Sequence, residues 1–249
     1  MTPSRPRVLV VQHEEDAGLG RLAAPLSAGA VLDVRRPDLG DDVPLEASGY
    51  AGVVVLGGEM AAWEDDRAPW LPATRGLVRA CVGERVPLLG ICLGAQLLAL
   101  ACGGRVERGH AGLEAGPVPI VLGPQASADP LFAAVAARTG STFVAAAWHG
   151  DAVVELPADA VPLASGRVYP HQAFRVGERA WGVQYHPEVT QEDFARWAAA
   201  AGYALLAAGG DPTATVAAVR AAEPLLRDLA RAHAAAFLAT LGTQPPAAS

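Results

Sequence analysis

Apolar runs and helical patterns alternate along the first hundred residues of the chain. Four short runs are almost continuously apolar, which is typical of strands covered on both faces of a sheet. These runs span residues 7–12, 31–34, 50–56 and 87–91. Apolar residues recur at helical spacing over residues 19–28, 70–84 and 96–101. Strands that alternate with helices of this length predict an α/β fold, with a doubly wound, mostly parallel sheet and flanking helices.

The pattern changes after residue 102, where short alternating segments are separated by Gly and Pro. Residues 103–122 predict antiparallel hairpins at one edge of the sheet, and residues 128–138 predict a short helix. Residues 171–176 and 180–185 predict a further hairpin that turns at Gly177-Glu178. In such sheets the carboxyl ends of the parallel strands are the expected place for a functional site.

The C-terminal quarter of the chain has a helical pattern throughout. Thr190 is the expected N-cap of a helix that reaches about residue 206, and Asp211-Pro212 begins another. We predict a domain over residues 1–190 and a helical extension over residues 191–249, packed on the domain or on a partner. A disordered tail is expected from about residue 243.

Composition narrows the functional classes. The 249 residues carry a net charge of −7, which argues against binding to nucleic acid or to an anionic membrane. The three cysteines lack metal-ligand spacing, so we expect a reducing, cytoplasmic location with no metal and no cofactor. All 19 basic residues are arginine, which excludes a Schiff-base lysine and a Walker-type nucleotide loop.

The fourth apolar run ends in the segment Gly90-Ile91-Cys92-Leu93-Gly94. This is the nucleophile-elbow pattern, with cysteine in place of serine. The tight turn needs glycine on both sides because a Cβ there would clash with the neighbouring strand or helix. The turn would hold the sulfur of Cys92 at a helix N-terminus, where unpaired N–H groups favour the thiolate.

A cysteine nucleophile needs a base, and the base needs an acceptor that orients it. His186 and Glu188 follow a predicted strand and project to the same side of an extended segment, so the carboxylate can bond one imidazole nitrogen. An oxyanion hole needs backbone N–H groups. The candidates are Leu93, directly after the nucleophile, and Gly58, in the glycine pair that ends another strand.

Residues 90–96 and 182–188 resemble the two characteristic segments of class I (triad-type) glutamine amidotransferases, and those of proteins similar to the glutaminase domain of GMP synthase in particular. The resemblance covers residues 7–188 and implies a flavodoxin-like fold. It implies that Cys92 attacks the side-chain amide of glutamine and forms a thioester, that His186 moves the proton, and that Glu188 orients His186. The residues that it implies hold the substrate are Gly57, Gln96, His149, Gly150 and Asp151.

Two departures from the family leave alternatives open. Glu59 stands where the family commonly has proline after Gly-Gly, and no synthase domain follows Glu188 within this sequence. The ammonia would therefore pass to an unidentified acceptor or to a partner synthase. One alternative is a hydrolase that uses the same triad on another γ-glutamyl amide or a related small molecule. The other, which the intact triad argues against, is a catalytically silent regulatory subunit.

Overall fold

A nine-stranded mixed sheet runs through the centre of residues 5–241, the part of the chain that the computed structural model describes. The strands are β1 (Arg7–Val11), β2 (Val31–Arg35), β3 (Gly52–Val55), β4 (Leu88–Ile91), β5 (Arg105–Arg108), β6 (Glu114–Leu122), β7 (Thr142–His149), β8 (Asp151–Glu155), β9 (Val161–Gly166), β10 (Ala173–Val176) and β11 (Ala180–Val183). The helices are α1 (Gly20–Gly29), α2 (Leu71–Glu84), α3 (Leu93–Ala101), α4 (Phe132–Thr139), α5 (Gln191–Ala207), α6 (Pro212–Ala221) and α7 (Glu223–Thr240).

The large sheet has the strand order β2-β1-β3-β4-β11-β10-β9-β6-β7. Its first five strands run parallel to one another, and its last four continue the sheet from β11 in antiparallel pairs. The predicted α/β class is confirmed, and antiparallel strands lie at one edge of the sheet. The hairpins expected over residues 103–122 do not form, because β5 pairs with β8 and β6 pairs with β7 and β9. Because β4 and β11 are parallel neighbours, the chain leaves both strands at their carboxyl ends, which lie side by side. Cys92 and the segment that leads to His186 therefore start from the same place.

Alternate residues of the parallel strands enter two different cores. In β1, Val8 and Val10 pack on the face covered by α1, α4 and α7. Leu9 and Val11 pack on the face covered by α2 and α3. Period-2 alternation with apolar residues on both faces produces the continuously apolar runs of the sequence.

The C-terminal helices begin at the predicted caps. The Thr190 side chain accepts the Asp193 N–H, and the Asp193 carboxylate accepts the Thr190 N–H, so the two residues form a capping box at the start of α5. Asp211 caps α6 through the N–H groups of Thr213 and Ala214. The last helix, α7, lies in the main core, where Leu229 and Phe237 are fully buried.

The division at residue 190 stays a prediction, and the tail predicted from about residue 243 lies outside the described residues. Within residues 5–241, no helix is both long enough and apolar enough to cross a membrane.

Two local predictions differ from the structure. The helix expected over residues 128–138 begins at Phe132, because the buried carboxylate of Asp129 accepts the N–H groups of Leu131 and Phe132 and so fixes the helix start. The strand β8 has no counterpart among the predicted strands. It pairs with β5 in a separate two-stranded sheet, and its first residue is Asp151.

Candidate active site

Cys92 occupies a sharp turn between β4 and α3. It is the N-cap residue of α3 and has φ 50° and ψ −104°, a backbone conformation that residues other than glycine rarely adopt. Such a conformation costs about 1–3 kcal/mol and persists only where the surroundings impose it. They do so here, because the Cys92 N–H donates to the Val183 carbonyl at 2.8 Å and so anchors the turn to the end of β11.

The glycines that flank this turn leave no room for a side chain. A Cβ at Gly90 would lie 2.5 Å from the carbonyl oxygen of Gly94. A Cβ at Gly94 would overlap the carbonyl oxygen of Val55 in β3. These close approaches let α3 leave the sheet directly above the strand ends, with the sulfur at its N-terminus.

His186 lies beside Cys92 and is oriented by Glu188. Its Nδ1 is 2.7 Å from Oε1 of Glu188, and both side chains are buried. The His186 N–H donates to the Ala146 carbonyl at 2.8 Å, which fixes the backbone of the segment after β11. Among residues 5–241, no hydrogen-bond partner satisfies Nε2 of His186.

Two opposing effects act on the His186 ring. Burial disfavours the charged imidazolium, but the Glu188 carboxylate and the Cys92 sulfur beside the ring outweigh it and hold the pKa of His186 well above its usual value. The surroundings thus favour a protonated His186 ring beside the Cys92 sulfur, where it can serve as a general acid.

The two oxyanion-hole candidates lie next to this pair. Leu93 is the first residue of α3, and the first N–H groups of a helix have no partner within it. Gly58 packs against the Leu93 side chain, and a Cβ at Gly57 would lie 3.1 Å from Cε1 of His186. The backbone that follows β3 and the first residue of α3 therefore lie beside Cys92 and His186, where an oxyanion hole would be needed.

A pocket of about 430 Å³ opens above the sulfur. Of the residues implied to hold the substrate, Gln96, His149, Gly150 and Asp151 line this pocket, whereas Gly57 lies behind the His186 ring.

The ring of His149 belongs to a buried polar network. Its Nδ1 lies 2.9 Å from the Asp151 carbonyl oxygen, and its Nε2 lies 3.0 Å from the Glu114 carboxylate. Glu114 also accepts from the Gln172 side chain at 2.8 Å. Because both ring nitrogens face acceptors, this network holds one wall of the pocket rigidly.

One wall of the pocket comes from α5, which sequence patterns did not identify. Trp197 meets the His186 ring edge to face, with the ring centroids 4.9 Å apart. Its indole N–H donates to the Asp16 carbonyl at 3.2 Å. The helix leaves helical geometry at Ala201, with φ −121° and ψ 17°, at the point where Ala201 lines the pocket. The helical spacing of α5 shows which residues face inward but not which element they face.

Acidic side chains also line the pocket, namely Glu14, Asp16 and Glu59, together with the basic side chain of Arg67. Glu59, which stands in the position of the expected proline, pairs with Arg67. Burial, followed by the nearby charges of Asp16 and Glu59, raises the pKa of Glu14 to about 7.

Comparison with known sequences connects this geometry to characterised proteins. The sequence model of the family described as glutamine amidotransferase class-I matches residues 25–199. One subunit of the glutamine-hydrolyzing GMP synthase from Natronomonas pharaonis is 34% identical over 154 residues, which cover 61% of this chain and 74% of that protein. Glutamine-hydrolyzing GMP synthase from Porphyromonas gingivalis is 32% identical over 150 residues, which cover 59% of this chain but 26% of that protein. The match spans about a quarter of that longer relative.

Two crystal structures share the fold over nearly their whole length. A glutamine amidotransferase from Thermotoga maritima superposes with a TM-score of 0.81 at 28% identity, covering 94% of this chain and 99% of that one. A glutamine amidotransferase from Methylobacillus flagellatus gives a TM-score of 0.83 at 27% identity and covers 99% of both chains. An alignment of that extent includes the C-terminal helices.

Proposed function

Because this chain belongs to the class I glutamine amidotransferase family, we propose that it hydrolyses the side-chain amide of L-glutamine to glutamate and ammonia. The observation that carries the proposal is the triad geometry. The Glu188 carboxylate orients the His186 ring, whose second nitrogen is unsatisfied among the described residues. The Cys92 sulfur stands beside that ring at the N-terminus of α3.

The proposed chemistry has two halves. The Cys92 thiolate forms a C–S bond to the amide carbon, and the carbonyl electron pair moves onto the oxygen, which accepts hydrogen bonds from the N–H groups of Gly58 and Leu93. His186 gives its proton to the amide nitrogen, the C–N bond breaks, and ammonia leaves. Water then gives a proton to His186 and attacks the thioester, and the C–S bond breaks to release glutamate and restore the thiolate.

The test is ammonia release from L-glutamine by the purified chain. We expect Cys92→Ala to abolish it and Glu188→Gln to lower kcat by about 10²–10⁴-fold, the range typical of a lost general acid–base function. Cys102→Ala, at the opposite end of α3, is the matched control and should retain activity. Wild-type activity in Cys92→Ala would refute the triad. An inactive wild type would favour either a catalytically silent role or a requirement for a partner.

We propose further that the ammonia is consumed by a separate synthase chain. Support comes from the Natronomonas relative, which is named as one subunit of GMP synthase and is a shorter protein that the match covers to 74%. The cytoplasmic location inferred from the cysteines fits such a metabolic role but stays a prediction. Co-purification with a synthase whose addition raises the glutaminase rate would support the pairing, and an unchanged rate would count against it.

A hydrolase of a larger γ-glutamyl amide is the second candidate, and the pocket favours it on two grounds. A volume of about 430 Å³ lies within the range of small-molecule sites. The Asp16 carboxylate in the pocket lining, joined by Glu14 where the pH lies above about 7, would favour an amide whose leaving amine carries a positive charge. Comparison of kcat/KM for L-glutamine and for a γ-glutamyl diamine would decide between the two substrates.

A further inference from the structure

Gln184 lies directly beside the sulfur of Cys92. It follows β11, two residues before His186, and its side-chain Nε2 is 3.6 Å from Cys92 Sγ, a distance suited to an N–H···S hydrogen bond. The residue is 1% exposed, so bulk water does not compete for this contact. Its backbone N–H donates to the Gln172 carbonyl at 2.9 Å, which anchors the residue to the neighbouring segment.

A second glutamine determines which end of the Gln184 amide faces the sulfur. Nε2 of Gln96 donates to the backbone carbonyl of Asp151 at 3.0 Å, and that carbonyl can only accept. The same Nε2 faces Oε1 of Gln184 at 3.4 Å. The oxygen of Gln184 is thereby turned toward Gln96, and its NH₂ group is turned toward Cys92.

We propose that Gln184 is a further catalytic residue, whose side-chain amide donates a hydrogen bond to the Cys92 thiolate. Gln96 is then a positioning residue, because it acts on the sulfur through the Gln184 amide. The inference rests on the proposed role of Cys92 as the nucleophile and adds a fourth side chain to the Cys92, His186 and Glu188 set.

The hydrogen bond acts differently at each stage of the reaction. A donor stabilises the thiolate more than the neutral thiol, so the amide extends the reactive form of the sulfur to lower pH. In the thioester the sulfur is uncharged and the bond weakens. When water displaces the sulfur, the C–S electron pair returns to Cys92 and the amide again stabilises the charge. Gln184 therefore assists both attack by the sulfur and its departure.

The test is the rate of alkylation of Cys92 by iodoacetamide as a function of pH, followed by mass spectrometry of the peptide that contains Cys92. Gln184→Met keeps the length and approximate volume of the side chain and removes its N–H donors. Below the inflection of the wild-type profile, we expect alkylation of this variant to be about tenfold slower, equivalent to an inflection about one pH unit higher.

Gln172→Met is the matched control. It removes a buried glutamine amide that bonds Glu114 rather than the sulfur, so it should lower stability without moving the inflection. An inflection that stays at the wild-type pH in Gln184→Met, or that moves equally in both variants, would overturn the proposal. If Gln184→Met does not fold, Gln184→Leu also removes the N–H donors without adding a charge, and its inflection should also move upward.

Alkylation needs no glutamine, so this test is separate from the proposed glutaminase activity. A chain that releases no ammonia can still show the shift, and a chain that hydrolyses glutamine can fail to show it. Cys81 does not disturb the measurement, because burial raises the pKa of its thiol to about 12. Cys92 and Cys102 lie in one tryptic peptide, residues 86–105, so the alkylated cysteine is assigned from the fragment ions of that peptide.

Discussion

At the scale of single residues, the site depends on close backbone approaches as much as on reactive groups. The positive φ of Cys92 is tolerated because α3 crosses β3 with no side chain between them at Gly94. The atom that a Cβ would meet there belongs to the backbone of a central strand, which cannot move aside as a flexible side chain can.

We therefore expect Gly94→Ala to lower the free energy of unfolding by about 1–3 kcal/mol or more, the usual cost of overpacking, and to displace the sulfur from His186. Gly76→Ala is the matched control, because a Cβ at this position of α2 has no atom of the described chain within the contact range of 4 Å. In mid-helix it should stabilise by about 0.5–1 kcal/mol. Urea unfolding of both variants measures the difference, and equal midpoints would contradict the steric argument.

More could be predicted from the sequence for single residues of the site than for whole elements. The Cys92 turn and the His186–Glu188 pair could be predicted because each lies within a few consecutive residues, where spacing alone sets their relative positions. Glu114 and Trp197 could not be predicted in this way. Their partners, His149 and His186, are 35 and 11 positions away along the chain, so packing rather than spacing brings them together.

At the scale of elements, α5 is the part of the C-terminal region that contacts the candidate active site. Its capping box sets the start of the helix, and that start sets the turn on which Trp197 faces the pocket. The indole bond to Asp16 then fixes the ring against His186. The caps were predictable from the residue types at Thr190 and Asp193, but the contact between Trp197 and His186 was not.

Trp197→Ala should lower kcat by about tenfold with little change in KM, because an edge-to-face aromatic contact contributes about 0.5–1.5 kcal/mol to the position of its partner. Trp197→Phe keeps a ring at this place and should recover most of the rate. Trp63→Ala, which removes a partly exposed tryptophan outside the pocket lining, should leave kcat unchanged. A full rate in Trp197→Ala would show that the contact does not orient His186.

At the scale of the whole molecule, two buried histidines make stability depend on pH. His13 and His233 are fully buried. Burial lowers the pKa of each to about 4, against partial opposition from the Asp38 charge at His13 and from the Leu229 carbonyl at His233. Between about pH 6.5 and 4 the unfolded chain binds these protons and the folded chain does not, so stability falls as the pH falls through this window.

By about pH 4, the proton that each of these histidines binds in the unfolded chain should lower the free energy of unfolding by up to about 3 kcal/mol. His186 has the opposite sign, because its raised pKa favours the folded chain at low pH and that contribution is lost as the pH rises. We expect His233→Gln to reduce the loss of stability between pH 7 and 4.5 by up to about 2.5 kcal/mol. His110→Gln changes an exposed histidine and should not alter it. Denaturant midpoints at the two pH values measure the difference, and parallel curves for wild type and His233→Gln would refute the assignment.

The architecture as a whole was partly predictable. The α/β class followed from the alternation of apolar runs and helical patterns, since a strand buried on both faces has a recognisable composition. The strand order was not predictable, because β11 reaches its place beside β4 only after four antiparallel strands have extended the sheet in the other direction. The placement of β11 beside β4 brings His186 to Cys92, and local sequence patterns do not indicate that placement.

The bond between Tyr185 and His233 also has a consequence for how the molecule is made. Tyr185 directly precedes His186 and donates to Nε2 of His233 in α7 at 2.9 Å. In the same core α7 packs against α1, so a helix near the N-terminus is covered by one that is synthesised much later. A ribosome adds α7 after every triad residue has been assembled, and until then the early strands lack part of their cover. The growing chain therefore contains Cys92, His186 and Glu188 before it contains the helix that completes the core around Tyr185.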